Sequence, residues 1–283
     1  MNIRLAHDAY GKNAINLSKV IRHPDRHEIR QISVNISLQG DFETVHTLGD
    51  NRKVLPTDTM KNTVYILARD HFSGSIEVFG MHLTEHFLTH NPQVSEVMAS
   101  LTEYCWSRMS FEGAPHPHAF LNGGSEKHTA RITGNRTGLT VEAGIKDLLI
   151  LKTTDSGFEN YIRDPYTTLK ATSDRIFATQ CEASWIYSSP PRDPEAGDAY
   201  AGIRLNLLKT FAEHKSLSVQ HTLYAMGENI LKDFPAVKEI TLRMPNKHHI
   251  PFNMEPFGIE NGNEIFMATD EPYGLITGTV VRD

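Results

Sequence analysis

The sequence predicts an α+β protein made of two tandem ββααββ units, each an antiparallel sheet with helices on one face. Three observations predict it. At 283 residues the chain is long for one compact core and comfortable for two. Stretches of period-2 alternation and stretches of helical periodicity follow one another in the same order in both halves. The turn-rich segment GNRTGLTVEAGIK, residues 134–146, separates those halves and places the units at 1–140 and 141–283.

Residues 16–22 and 28–38 are the first two strands. In HEIRQISVNISL, Ile29, Ile32, Val34, Ile36 and Leu38 alternate with some slippage, as one buried face requires. Helices follow at 58–70 and 75–90, the second with Ile76, Phe79, Leu83 and Phe87 on its core face. Strands at 94–109 and 128–142 close the first unit. In the second, DLLILKT (147–153) and 176–187 are strands, and the Pro-rich SSPPRDPEAG (188–197) is a loop. Helices come next at 198–214 and 217–233. In the latter, Val219, Leu223, Met226 and Ile230 recur at i, i+4, i+7 and i+11, one helical face. Strands at 237–244 and 248–254 complete the order. Hairpins paired across two helices give a sheet with helices on one side. The other side is left open, and association is the usual way to bury such a face, so an oligomer is expected.

Composition narrows the function. The net charge is −6 and no long Lys/Arg run occurs, a poor basis for binding nucleic acid. A few inward-facing cations still suffice to hold a small anion. No stretch approaches the roughly 20 apolar residues of a membrane span. The start MNIRLAHDAYGKN lacks the apolar core of a signal peptide, and the ending VVRD is not a peroxisomal Ser-Lys-Leu. Cys105 and Cys181 both sit in apolar, strand-like runs, as two buried thiols of a reducing cytoplasm would.

Several clusters can carry chemistry, and each has a plain structural reading beside it. In LPTDTMKNTVY, Thr57 and Asp58 precede a helical run, where both are favoured caps. A hydroxyl and exposed N–H groups at a helix start also suit an anion. The segment DLLILKTTDSGFENYIRDPYTTLKATSDRIFAT holds Lys152, Ser156, Phe158, Tyr161, Tyr166, Leu169 and Arg175. Packing and an ion pair account for such a loop. Equally, a ring that stacks and a guanidinium that grips two acceptors are what a flat anionic heterocycle needs. In RMPNKHHIPF, Asn246, Lys247, His248 and His249 stand together, and His248 shares a strand face with Ile250 while His249 points away. HLTEH (82–86) matches the H-x-x-E-H string of inverted zinc peptidases, but its histidines fall on the flank of the core face. His116 and His118 in PHPHAF would share a face if extended, whereas two prolines favour a loop leading into a strand. No Gly-rich phosphate loop, no GxSxG and no clustered Cys/His zinc pattern is present.

Taken together, these segments resemble the urate oxidase family. The resemblance starts at Tyr10-Gly11-Lys12 and runs through HEIR, GDFETVHTLGDN and PTDTMKNTVY. It continues through HPHAF, LKTTDSGFENYIRDPYTTL, DRIFAT, KTFAEHKSLSVQHTLYAMG, PNKHH and NEIF, nearly the whole chain in order. The motif from Leu148 to Arg175 is the most specific part. The resemblance implies the tunnelling fold of two ββααββ units, a homotetramer, and active sites between subunits. It also implies a reaction of urate with molecular oxygen that needs no metal or organic cofactor and yields 5-hydroxyisourate and hydrogen peroxide. The missing peroxisomal ending points to a bacterial, cytoplasmic setting.

Roles carry over onto matching positions. Arg175 and Gln220 are expected to grip opposite edges of the purine, and Phe158 to stack on it. The backbone N–H groups of Asp58 and Val219 are expected at its polar atoms. Thr57 and Asn246 frame the position of oxygen or water above the ring, and Lys12, Thr57 and His248 form a proton relay. Lys12, Thr57 and Asp58 come from one chain and the remainder from its neighbour. Urate is electron-rich, and losing a further proton makes it a reductant able to pass an electron to oxygen, so the protein need only orient, desolvate and shuttle protons. Two rivals keep the fold: another tunnelling-fold purine or pterin enzyme, some of which use zinc, and a non-catalytic purine-binding relative.

Overall fold

The structure is a computed structural model that describes residues 3–283. The chain divides into two compact units. The first runs up to Gly144 and also takes in Ile186–Tyr200; the second comprises Ile145–Trp185 and Ala201–Asp283.

In the first unit, β1 (Tyr10–Arg22) and β2 (His27–Gly40) form an antiparallel hairpin. The alternation read from the sequence is real: Ile32, Val34, Ile36 and Leu38 are fully buried. A short helix α1 (Glu43–Leu48) and a single 3-10 turn (Asn51–Lys53), neither expected, lead into α2 (Thr57–His71) and α3 (Ile76–His90). Strands β3 (Val94–Phe111) and β4 (Ala114–Asn135) follow, β3 pairing antiparallel with both β2 and β4. The strands thus lie side by side in chain order, β1 to β4. Helix α3 buries Ile76, Phe79, Leu83 and Phe87 against β3 and β4. Gly80 makes that approach possible, since a Cβ there would fall 2.3 Å from the Ile132 Cδ1.

In the second unit the order is again that of the chain: β5, β6, β7, β8. The first, β5 (Gly138–Lys152), begins in the preceding unit; β6 is Phe177–Tyr187, β7 Val237–Pro251 and β8 Phe266–Val281. Between β6 and β7 run α4 (Glu195–Glu213) and α5 (Val219–Asp233), and α5 packs on β7 and β8. Its predicted face, Val219, Leu223, Met226 and Ile230, is buried, as are Phe177, Thr179, Cys181, Ala183 and Trp185 on β6.

Four expectations about elements need correction. The single strand expected at 128–142 is a hairpin: the Asn135 side chain accepts from both the N–H and the hydroxyl of Thr137, turning β4 into β5. The turn-rich stretch beyond it is strand, continuous with 147–153. PHPHAF is part of β4, with Pro115 paired opposite Ser110 near the strand end, where a missing N–H is tolerated. The strands expected at 237–244 and 248–254 are one, β7, with its register shifted between Asn246 and His248. Its true partner β8 was not anticipated, because Pro272, Gly274 and Gly278 interrupt the apolar alternation.

Candidate active site

The predicted site residues fall into two groups, one in each unit. In the first unit Gly11 presses β1 onto β2 so closely that a Cβ would sit 1.8 Å from the Ile36 carbonyl oxygen. The ladder then shifts register between Lys12 and Ile15. Ala14 takes a left-handed φ of 54° there, and its N–H donates to Asn35 Oδ1 at 2.7 Å. A bulge of this kind re-aims the side chains beside it, here half-buried Lys12. Tyr10 ties the strand to the start of α2: its hydroxyl accepts the Leu55 N–H at 2.9 Å, and its ring meets Phe42 edge-on at 4.8 Å.

Thr57 is the first residue of α2, and the preceding cap residue, Pro56, has no side chain to accept from the first turn. The capping reading of Thr57 and Asp58 is therefore corrected: both lie inside the helix. The Asp58 carboxylate turns instead to the Lys61 ammonium and to Asn62 Nδ2 at 3.1 Å. Lys61's hydrogen bond and charge hold Asp58 below the usual carboxylate pKa, with a smaller contribution from Lys12, which places Lys12 within electrostatic reach of this helix start. A positive helix end beside a lysine suits an anion.

In the second unit the loop after β5 is fastened at several points. Lys152 Nζ donates to the His214 carbonyl. Gly157 N–H donates to Ser216 O at 2.8 Å, and Ser216 N–H to Asp155 O at 2.9 Å. Phe158 pairs with Thr172 through bonds of 2.8 and 3.2 Å, which holds its backbone against the returning limb of the loop. Asp174 accepts from Thr154 Oγ1 at 2.8 Å and from the Ser156 N–H at 3.2 Å, and those bonds lower its pKa. Arg175, the next residue, puts its guanidinium 5.4 Å from the centre of the Phe158 ring. Burial pushes the Arg175 pKa down, an indication that the cation is partly stripped of water.

Arg175, Asn246 and His248 line one cleft of about 700 Å³, with Leu169, Ile176 and Phe266 among its apolar walls. Burial first, and the charge of Arg175 second, lower the His248 pKa, so the neutral imidazole is favoured there. At the start of α5 the Ser218 hydroxyl accepts from the His221 N–H at 3.1 Å. Val219 is buried on the first turn and Gln220 exposes its side chain beside it. Those two do not line the cleft formed by Arg175, Asn246 and His248. Asp174 and Ser216, which fix the loop, were not singled out from the sequence; nothing local distinguishes them from ordinary surface polar residues.

The histidine patterns do not assemble ligands. Among the described residues no group of three or more His, Cys, Asp or Glu side chains stands in metal-holding geometry. In HLTEH, the His82 ring lies against His71 at 4.8 Å and the His86 ring against His90 at 4.2 Å. His116 and His118 rings are 4.6 Å apart, and the His118 N–H donates to His116 Nδ1 at 3.3 Å. Both thiols are free, but only Cys181 is fully buried, its pKa raised to about 12 by desolvation and by Glu182; Cys105 is half-buried.

Known proteins match the whole chain. The family profile described as Uricase covers residues 8–133 and 141–277. A uricase of Arthrobacter globiformis is 42% identical over 279 residues, spanning 99% of this chain and 90% of that protein. One of Oryctolagus cuniculus is 36% identical over 287 residues, spanning 99% and 95%. The crystal structure of the Arthrobacter globiformis uricase superposes with a TM-score of 0.94 at 41% identity, covering 100% of this chain and 96% of the other.

Proposed function

The chain belongs to the uricase family and oxidises urate with molecular oxygen, and we propose that it does so with the two groups of residues described above. Its fold is the α+β tunnelling fold of that family. Neither rival, a different purine or pterin enzyme or an inactive binder, is favoured by these matches.

The observation that carries the residue assignment is the convergence of Arg175, Asn246 and His248 on one cleft, with Phe158 beside Arg175. Arg175 meets the anionic edge of urate with two donors at once, and partial desolvation strengthens each bond. Gln220 and the Val219 N–H take the opposite edge, and Phe158 supplies an apolar face for the flat ring. Thr57 and the Asp58 N–H present polar groups at the start of α2. Lys12, Thr57 and His248 move the protons, and Asn246 holds oxygen or water over the ring. Overall, urate, oxygen and one water become 5-hydroxyisourate and hydrogen peroxide. Two electrons pass from the purine to oxygen, and water supplies the new hydroxyl. Urate is itself the electron donor, so on this reading no metal or organic cofactor takes part.

We further propose a cytoplasmic homotetramer with each site shared by two subunits. Two unpaired thiols fit a reducing compartment, and exposed Leu149, Leu151 and Leu275 fit a sheet face that is buried on assembly. Among the described residues no helix is long and apolar enough to cross a membrane. On this assignment Lys12, Thr57 and Asp58 of one subunit complete the cleft of its neighbour. Lys12→Ala and Arg175→Ala proteins, each nearly inactive alone, test it when co-expressed or refolded together. Random pairing leaves one whole site in every two of the mixed pairs, and about one quarter of normal activity returns. Mixed oligomers as inactive as their parents would place both groups in one chain's own pocket.

A further inference from the structure

Behind Phe158 stands a residue without an assigned role. Asn160 adopts a left-handed φ of 58°, a conformation that asparagine tolerates better than most residues. The turn folds Tyr161 back onto Phe158, ring centres 4.8 Å apart and planes within 10° of parallel. The Tyr161 hydroxyl donates to the Leu169 carbonyl at 2.6 Å, and Leu169 lines the cleft with Arg175 and His248. Arg163 donates to the same hydroxyl at 3.3 Å and lies 5.1 Å from the ring centre. Tyr161 is therefore held by its ring, against Phe158 and Arg163, and by its hydroxyl, although Ile162 and Tyr166 close by are 95% and 89% exposed. A residue that only supported the core would not be anchored within so exposed a loop.

Resting on the assignment of Phe158 and Arg175 to urate, we propose that Tyr161 is a positioning and specificity residue for the oxidation. A phenylalanine has no polar handle, and its ring plane is set by what packs on it. Tyr161 occupies one face of Phe158 and fixes its tilt, leaving the opposite face to a planar substrate. Its bond to Leu169 ties that ring to the cleft wall and sets the width of the slot. The effect falls on how well a flat purine is held, not on the proton and electron steps.

Steady-state kinetics with urate, together with binding of xanthine as an unreactive planar probe, test this in Tyr161→Phe, Tyr161→Ala and Arg175→Lys proteins. Tyr161→Ala is expected to raise the urate KM and weaken xanthine about 3- to 10-fold, with kcat within about 2-fold of the parent, the range one aromatic pair accounts for. Tyr161→Phe keeps the stack and loses only the Leu169 tie, so its shift is expected to be about 2-fold and to rescue most of the alanine defect. A merely structural role would lower kcat through loss of active protein and leave KM and xanthine binding unmoved; that result overturns the proposal. Arg175→Lys separates the two readings. If it raises KM while Tyr161→Ala does not, the positioning role alone fails; if neither moves KM, the site assignment fails as well.

Discussion

The starts of α3 and α5 share one local chemistry and meet opposite fates. Ser75 caps α3 by accepting the Val78 N–H at 3.2 Å, and Ser218 caps α5 by accepting the His221 N–H at 3.1 Å. A buried aliphatic residue follows each cap, Ile76 or Val219. The next position is Glu77 in the first unit and Gln220 in the second. Glu77 is completely buried, with Oε1 2.8 Å from His128 Nε2. The other His128 nitrogen faces Glu103 at 3.6 Å, and Glu103 holds Arg30 through both carboxylate oxygens. Tyr200 stacks on His128 at 3.8 Å. One repeat has closed its helix start with a buried ion network, and the other leaves an amide exposed. A buried carboxylate demands a partner inside the protein, whereas an exposed amide can serve a ligand that comes and goes.

The buried carboxylate at the start of α3 should act mainly on stability. Glu77→Ala removes the partner of a buried histidine and opens a void, at a cost of about 3 kcal/mol, the low end for a buried ion pair. The low end applies because Glu77 Oε2 has no hydrogen-bond partner to lose. Chemical denaturation should show that loss while the urate KM stays at its normal value. A change in KM with unaltered stability would make Glu77 a binding residue and erase the contrast.

Gln220→Ala should do the reverse. At an exposed helix position stability changes by no more than about 0.5 kcal/mol. Losing a hydrogen bond to an anionic purine weakens binding by about 1.5–2 kcal/mol, roughly 10- to 30-fold. Calorimetric titration with xanthine measures it directly, and unchanged affinity would remove Gln220 from the site.

The ion network at the closed helix start should also make stability depend on pH. Burial opposes the charged His128 imidazole, but Glu77 and Glu103 outweigh it and raise its pKa. A raised histidine contributes stability that is fully present below its ordinary pKa of about 6.5 and is lost as pH rises through the folded value. Glu103 behaves oppositely: burial is offset by His128 and Arg30, its pKa is lowered, and its contribution is lost as pH falls. Stability of the parent should therefore decline above about pH 6.5, by at most about 1.4 kcal/mol per pH unit for one proton. His128→Gln, whatever its absolute stability, should lack that alkaline decline. An identical slope in both proteins would show that His128 is neutral throughout.

Much of this protein was determined by neighbours in sequence, because the forces that shape an element act over a turn or a few paired residues. The alternation of Ile32, Val34, Ile36 and Leu38, and the i, i+4, i+7 spacing on α5, are such local patterns, and both faces are buried as read. The motif around Phe158 and Arg175 was legible only through its family resemblance, since packing and an ion pair account for the same residue types; the structure sets the guanidinium 5.4 Å from the ring centre. Other features were settled only where distant segments meet. Strand β8 alternates poorly by itself and is held by its ladder with β7 from Glu239↔Val281 to Pro251↔Phe266. The Asn135 turn that splits β4 from β5 lies inside the stretch read as turn-rich, but only the pairing of the flanking strands fixes where the chain reverses and leaves the rest of that stretch as strand. Glu77 reads as an ordinary solvated carboxylate beside a helix cap. Its partner lies 51 residues away, and only the packing of α3 on β4 brings them together and excludes water. The cleft follows the same rule: Arg175 comes from a loop, Asn246 and His248 from β7, and the lowered pKa of His248 arises from burial and a cation that the sheet topology sets beside it. Periodicity can assign a residue to a face, but water exclusion and charge proximity are properties of the assembled volume, and they exist only once the distant segments have closed on one another.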